Sequence, residues 1–462
     1  MRIPVMLALA ALASQAVAQE KDLTITWVGQ ACFVLSTEGG GPTVITDPPV
    51  PSVGYTLPSI AADAVTITHN HTDHNNATGV KGNFTLVDGR PVTQRQEMTA
   101  AGLPFTLVPG FHDNQNGAQR GPNTMIRWTQ SGLKIGHLGD LGQDQLTEAQ
   151  AADLRGLDIL FIPAGGFFTV TPERMAAYVN ELKPKIAILM HYRTPLGGPA
   201  QLGTLPSIGA PFSPLVYKPS TVTVNRAALP VFTEVWAMQP ASDATLVNAA
   251  TFAKGIPVAP GSVASVFGAF TGSQTATAAA YPLPRKLGET EVFIDGKAMP
   301  LYYASPTQIN MQISSAQAIG PVLAEVRVGG QTVGRAPSIA VPFSPGFFAV
   351  ANQDNRTNSP NAPAHPGETL QIYGTGQGAV TPPVDDGVAA SAAPLSLRTP
   401  PAVFLGSRQL AVQFSGLAPG LAGVWQINVV LPPDAPTGPS IMMTIDSGSA
   451  GTSNVSVSIL KP

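Results

Sequence analysis

Residues 69–74 read His69-Asn70-His71-Thr72-Asp73-His74, directly after the β-branched run Val65–Thr68. On extended backbone, side chains two apart point the same way. His69 and His71 are therefore expected to converge on one metal ion. Asp73 and His74 follow as the chain bends, in reach of a second. Imidazole and carboxylate donors suit a borderline ion, zinc first, with manganese or iron as alternatives. A two-ion site also needs ligands from distant loops and a bridging carboxylate. His112, Asp140 and His191 are the candidates, and each closes a later apolar run: Val108-Pro109-Gly110-Phe111-His112, His137-Leu138-Gly139-Asp140 and Met190-His191. Histidines scattered over a surface would not collect at strand ends.

Outward from this stretch, strands alternate with helices. Leu23–Val28, Thr43–Thr46 and Phe105–Val108 are short, β-branched and bounded by turn residues. Thr124–Thr129 and Leu133–Gly136 flank the hairpin signal Ser131-Gly132. Leu157–Ile162 is the continuous apolar run of a strand buried on both faces. One helix follows Thr147. A second has Thr171 as N-cap and Pro172 at its first position, and must end at Lys183 because Pro184 follows. Ile186–Met190 then delivers His191 at a strand end. This half is α/β.

Beyond about residue 244 the helical signals stop, and short strands are punctuated by Pro, Gly and Ser, the pattern of an all-β sandwich. The region repeats itself. Phe267-Gly268 recurs as Tyr373-Gly374, Val292-Phe293-Ile294 as Val403-Phe404-Leu405, and Gln308-Ile309-Asn310 as Gln426-Ile427-Asn428, at offsets of 106, 111 and 118 residues. The expected organisation is a signal peptide over 1–18, an α/β domain over 19–240, and two related β-sandwich units over 244–344 and 345–462.

The signal peptide is read from Arg2, the apolar run Val5–Ala13 and the small-x-small site Ala16-Val17-Ala18. It predicts an exported mature chain from Gln19, periplasmic or secreted, with no membrane span after cleavage. The single cysteine, Cys32, excludes an intramolecular disulfide and reads as a small buried apolar residue. The 462 residues carry 25 Lys+Arg against 28 Asp+Glu, a net charge of −3. No basic surplus is present for neutralising phosphates, so nucleic acid is not an expected partner. A small-molecule substrate is.

The run H-x-H-x-D-H at residues 69–74 resembles the signature of the metallo-β-lactamase superfamily, and the likeness extends over roughly residues 23–237. It implies a four-layer αβ/βα sandwich with its site at one edge. It also implies His69, His71 and His112 on one metal, Asp73, His74 and His191 on the other, and Asp140 bridging. Asp47, in Ile45-Thr46-Asp47-Pro48, matches an aspartate that supports the ligands from behind. His137 matches no ligand and is expected to be structural or to support the ligands. The runs Arg120-Gly121-Pro122-Asn123, Pro163-Ala164-Gly165-Gly166 and Met190-His191-Tyr192 are most similar to the branch named for ascorbate-6-phosphate lactonase (UlaG-like).

The chemistry the resemblance implies is hydrolysis by a hydroxide shared between two ions, because metal binding lowers the pKa of water to about 7. Asp73 would orient that hydroxide. Arg120 or Arg193 would hold an anionic substrate group. The bridging Asp140 favours an ester, lactone or phosphodiester over a β-lactam, while sulfur dioxygenases use the same scaffold with one iron. A non-catalytic metal-containing surface or binding protein is the competing class. Residues 244–462 resemble an uncharacterised Ig-like β-sandwich domain of secreted bacterial proteins. It is expected to act either as a spacer or stabilising module or to attach the chain to a cell surface, a polymer or a partner protein.

Overall fold

The computed structural model describes residues 21–391, 401–446 and 452–461. The expected signal peptide over 1–18 lies outside them. Among the described residues, no helix is long and apolar enough to cross a membrane.

Two sheets face each other across the main core. The first contains β1 (Leu23–Gly29), β2 (Cys32–Thr37), β3 (Thr43–Thr46), β4 (Ala64–Ile67), β5 (Thr85–Asp88) and a returning strand, β13 (Thr221–Val224), in the order β13-β1-β2-β3-β4-β5. The second contains β6 (Gln96–Ala100), β7 (Leu103–Phe111), β8 (Pro122–Gln130), β9 (Leu133–His137), β10 (Ile159–Pro163), β11 (Ile186–Met190), β12 (Leu215–Lys218) and β14 (Glu234–Met238), in the order β12-β14-β11-β10-β9-β8-β7-β6. Trp27, Phe33 and Leu35 from the first meet Phe105, Ile135, Phe161 and Ile188 from the second in one cluster. Every residue of β10 and β11 is buried, as the uninterrupted apolar runs require.

Local chemistry sets the boundaries. Ser131 (φ 51°) and Gly132 (φ 72°) both take left-handed conformations at the β8–β9 turn, the geometry that matches hairpin twist. Helix α1 (Glu148–Leu154) starts in a capping box between Thr147 and Gln150. Helix α2 (Pro172–Leu182) is capped by Thr171 and stops at Lys183 in the left-handed region, one residue before Pro184. Both helices bury their apolar faces, through Leu154, Met175, Tyr178 and Leu182, in the main core.

The expected four layers need one correction. The outer face of the first sheet presents Val28, Cys32, Val34, Ile45 and Val65, alternating along each strand with the core-facing set. It is covered by Tyr55, Leu57 and Ala62 of the segment after β3 and by Ala77 and Val80 after β4, whose only helical turns are 3₁₀, at Pro51–Val53 and Ala77–Gly79. Pro48, Pro49, Pro51 and Pro58 remove the donors an α-helix would need there. Cys32 is fully buried in this cluster, and burial pushes its thiol pKa up, as expected of an inert packing residue.

The remaining chain is largely β. Strands between Ala244 and Ala340 form a five-stranded and a four-stranded sheet, and one core takes Leu246, Val266 and Ile309 from the former and Val292, Val322 and Val326 from the latter. Strands from Gly346 to Ile459 form a seven-stranded arrangement around the fully buried Trp425. The repeated stretches pair alike: Phe267 opposes Gln308 in the first region, and Tyr373 opposes Gln426 in the second.

Candidate metal centre

Every candidate ligand leaves the end of a strand. His69–His74 follows β4, His112 follows β7, Asp140 follows β9 and His191 follows β11. Strands β9, β10 and β11 are parallel, and β7 runs with them because β8 is antiparallel to both β7 and β9. Their last residues therefore emerge at one edge, beside the end of β4.

Side chains of His69, His71 and His112 offer ligand atoms within 4.8 Å of one another, and so do Asp73, His74 and His191. These are the two triads expected from the sequence. The expected bend is present: His74 N–H donates to His71 C=O at 3.0 Å, so residues 71–74 close a turn that brings Asp73 and His74 round to the second group. Asp140 Oδ2 lies between the groups, 3.1 Å from His112 Nε2, 3.0 Å from His191 Nε2, 3.3 Å from His74 Nε2 and 3.7 Å from His69 Nε2.

Hydrogen bonds behind the ligands fix which nitrogen faces the site. Thr68 Oγ1 donates its one proton to Asp47 Oδ2, at 2.5 Å, so its 3.0 Å contact with His69 Nδ1 must be donated by the ring. That leaves His69 Nε2 with a bare lone pair. His74 Nδ1 likewise donates to Asp47 Oδ2 at 2.9 Å. Asp47 also accepts Thr68 N–H through Oδ1, so both its oxygens are engaged although it stands within 4.8 Å of His69 and His74. It is placed behind His69 and His74, where a carboxylate can orient candidate ligands. His137 is fully engaged too: Gly139 N–H donates to Nδ1 at 3.1 Å, and Nε2 donates to Ala31 C=O at 2.9 Å. It fastens the turn after β1 to the loop that carries Asp140, and burial holds its pKa down.

Whether metal ions fit can be judged from the atoms left over. His69 Nε2, His74 Nε2 and Asp140 Oδ1 are buried without any hydrogen-bond partner. Buried polar atoms are ordinarily paired, and three orphaned donor atoms on borderline ligands suit divalent ions. Electrostatics differ between the triads. Burial and neighbouring imidazoles lower the pKa of His69 and His71. Burial is the largest influence on His74 and His191 and opposes their charge, but the Asp140 and Asp73 carboxylates together, with Asp47 at His74, outweigh it and raise both. Burial alone would raise Asp140 and Asp73. The imidazoles of His191 and His74 hold both carboxyls well below the usual range.

Three contributors were not singled out from the sequence. Gln30, at φ 51° in the β1–β2 turn, donates from Nε2 to Asp73 Oδ2 at 2.9 Å, and its carbonyl accepts His191 N–H and Trp27 Nε1–H. Asn123 accepts Asp140 N–H and donates to Leu138 C=O. Buried Asp113 accepts four backbone N–H groups, from Gln115 and Gly117 on Oδ1 and from Gln119 and Arg120 on Oδ2. The available signal was a polar residue interrupting an apolar strand–turn–strand for Gln30, and Asp followed by an Asn-Gln-Asn-Gly loop for Asp113.

A cleft opens over the triads, lined by His71, Asp73, His112, Asp140, His191 and Arg120 among others. Its volume, about 510 Å³, lies within the roughly 300–1,000 Å³ of small-molecule sites. Of the two arginines expected to meet substrate, only Arg120 lines it. Arg193 lies instead in the crevice toward the first β region, with Asp295, Pro321 and Glu325. The main chain leaving His191 turns away there, where Arg193 N–H donates to Gly203 C=O.

Residues 24–191 match the family model described as a β-lactamase superfamily domain. A UPF0173 metal-dependent hydrolase of Myxococcus xanthus is 30% identical over 214 residues, covering 40% of this chain and 76% of that protein. Another, from Methanoculleus marisnigri, is 28% identical over 191 residues, covering 37% and 82%. A solved Thermotoga maritima structure assigned to the Zn-dependent hydrolases of the metallo-β-lactamase superfamily is 29% identical, with a TM-score of 0.38, and covers 47% of this chain and all of its own. Through its N-terminal half, the chain belongs to the UPF0173 metal-dependent hydrolase family of the metallo-β-lactamase superfamily.

Proposed function

We propose that the chain is an exported two-ion hydrolase of an ester, lactone or phosphodiester, on a UlaG-like site. The observation that carries this reading is Asp140 Oδ2, which stands within 3.3 Å of imidazole nitrogens from both triads. A carboxylate so placed suits a bridge, and a bridge presupposes two ions. His69, His71 and His112 would hold one, Asp73, His74 and His191 the other, and Asp140 both. Zinc fits this donor set best, and manganese or iron remains compatible. When bound, the ions would lower the pKa of a shared water and polarise the scissile oxygen.

The chain's own residues supply orientation and proton handling. Asp73 stays ionised, and its Oδ2 is occupied by Gln30 Nε2. That oxygen also faces His74 Nε2 and His191 Nε2, so Asp73 would ligate and would orient an attacking water from the cleft. Asp47 and Thr68 hold the His69 and His74 rings in the tautomers that ligation needs. His137 and Asn123 hold the loop that presents Asp140.

The β regions are read as two copies of one Ig-like unit, over 244–344 and 345–462, supported by the matching registers of their repeated strands. They would attach the chain to a surface or polymer or act as a spacer. An exported chain should be recovered from the periplasm or medium with Gln19 at its N-terminus.

Metal content per chain, measured by elemental analysis on full-length protein purified without chelators, tests the central reading. About two divalent ions, with turnover of lactone or phosphodiester probes lost on chelation, is the expected result. A single iron would redirect it to sulfur dioxygenase chemistry. No metal after reconstitution would leave a binding protein.

A further inference from the structure

Among the described residues, arginines are mostly paired. Arg90 meets Asp88, Arg127 meets Asp153, Arg155 meets Glu148 and Arg327 meets Glu325. Arg120 differs. Among the described residues its guanidinium has no carboxylate or carbonyl acceptor, and it lines the cleft beside His71, Asp73 and His112. The nearest acid in sequence, Asp113, is engaged elsewhere: it accepts four hydrogen bonds, all from backbone N–H groups, one of them from Arg120 itself.

The surrounding loop is held in place. Gly121 N–H donates to Gly117 C=O, and His112 N–H donates to Gly121 C=O, so the backbone at Arg120 is fastened to a candidate ligand's own main chain. The guanidinium sits over Phe168, 5.8 Å from the ring centroid, and Phe168 packs edge-on against Phe167 at 4.8 Å. Phe168, Val53 and Pro199 give the cleft an apolar flank. A planar fork of donors on a fixed backbone, stacked on an aromatic face and free of an internal counter-ion, is the arrangement that recognises carboxylate or phosphate.

We propose that Arg120 is the anion-recognising residue of this cleft, and that the substrate carries a carboxylate or phosphate group together with an apolar portion that rests on Phe168, Val53 and Pro199. The proposal rests on the hydrolase reading for its account of what happens next. The binding step stands on the cleft alone.

The test uses the full-length, metal-loaded chain and two esters of similar size, neutral 4-nitrophenyl butyrate and the mono-4-nitrophenyl ester of glutaric acid. Wild type should favour the anionic ester in kcat/KM by about tenfold or more. Arg120→Met, at unchanged metal content, should raise KM for the anionic ester by about 10–100-fold with kcat nearly preserved. Its effect on the neutral ester should be under about threefold. Arg120→Lys should recover part of the loss, since it keeps the charge but not the fork. Equal use of both esters by wild type, or a uniform fall in kcat in Arg120→Met, would overturn the proposal.

Calorimetric binding of phenylphosphonate gives a readout free of turnover and represents the phosphate class. Affinity at least tenfold weaker in Arg120→Met supports the site, and equal affinity sinks it. A chain that binds the anion through Arg120 but cleaves neither ester would defeat the hydrolase reading alone.

Discussion

Asp47 Oδ2 lies 2.9 Å from His74 Nδ1, with both side chains sealed from solvent. Because the same oxygen also receives the Thr68 hydroxyl, one carboxylate sets the tautomer of two candidate ligands, His74 directly and His69 through Thr68. Asp47→Ala should therefore weaken ion binding at both triads although it removes no ligand. A loss of about 10–100-fold in affinity is expected, the usual cost of deleting a hydrogen-bond partner behind a ligand. Competition with a chromogenic chelator measures it. Unaltered affinity at both sites would show that the rings are held by packing alone.

Asp73 and Gln30 separate a catalytic group from the residue that positions it. Asp73→Ala should fold normally and lose roughly 10²–10⁴-fold in kcat, because it removes both a candidate ligand and the group that would orient the attacking water. Gln30→Leu keeps the carboxylate but frees its Oδ2. It should lower kcat by about 5–30-fold, equivalent to one hydrogen bond of 1–2 kcal/mol, with Tm little changed. Full activity in Asp73→Ala would remove this residue from the mechanism.

Ion binding should be linked to protons at one triad and not at the other. His69 and His71 have lowered pKa values and are neutral at pH 7, ready to ligate. Burial would keep His74 and His191 neutral too, yet the surrounding carboxylates, Asp140 and Asp73 together, raise both above the ordinary value near 6.5. Their protons must leave before an ion enters, so affinity at the second triad should rise with pH through and above neutrality. The sign for the metal-free chain is the reverse. A raised folded pKa stabilises below the unfolded value of about 6.5 and ceases to as pH climbs through the folded one. Titration calorimetry in buffers of different ionisation enthalpy should detect proton release for the second ion only. Equal release at both would contradict the asymmetry.

Candidate ligand positions were legible in the sequence because metal chemistry restricts residue type and strands restrict spacing. His69, His71, His112, Asp73, His74, Asp140 and His191 needed no three-dimensional information beyond strand ends. The supporting hydrogen bonds were not legible. Gln30 reaches Asp73 across 43 positions, and nothing local to either residue encodes the meeting. Arg193 illustrates the converse, a residue two places from His191 that the chain turns out of the cleft. The covering of the first sheet was missed for a related reason: a family's outer helices do not survive four prolines between residues 48 and 58.

The segment 238–246 looks from sequence like a cleavable linker, where the α/β pattern gives way to all-β. In the fold it is fastened on both sides. Gln239 N–H donates to Lys218 C=O, Ala241 N–H to Trp27 C=O, and Asp243 Oδ1 accepts Arg335 N–H. Limited proteolysis of the native chain should leave this stretch intact under conditions that cut exposed loops. Two stable fragments parted at 238–246 would show that these bonds open readily.

Acid should act through Asp113. Burial would raise its pKa, but the four backbone donors prefer the carboxylate and hold the value below its ordinary 3.8. A depressed folded pKa means stability that is present above the unfolded value and is lost as pH falls through the folded one. Asp113→Asn can offer only one, uncharged acceptor oxygen, so two of the four N–H groups lose their acceptor outright and the other two keep only a neutral one. The variant's Tm deficit in metal-free protein should be largest near pH 7. It should shrink below about pH 4, where the wild-type carboxyl is itself taking up a proton. Because the same loop fixes Arg120, discrimination between the anionic and neutral esters should fall with it. A Tm deficit independent of pH would mean that Asp113 holds the loop by shape alone.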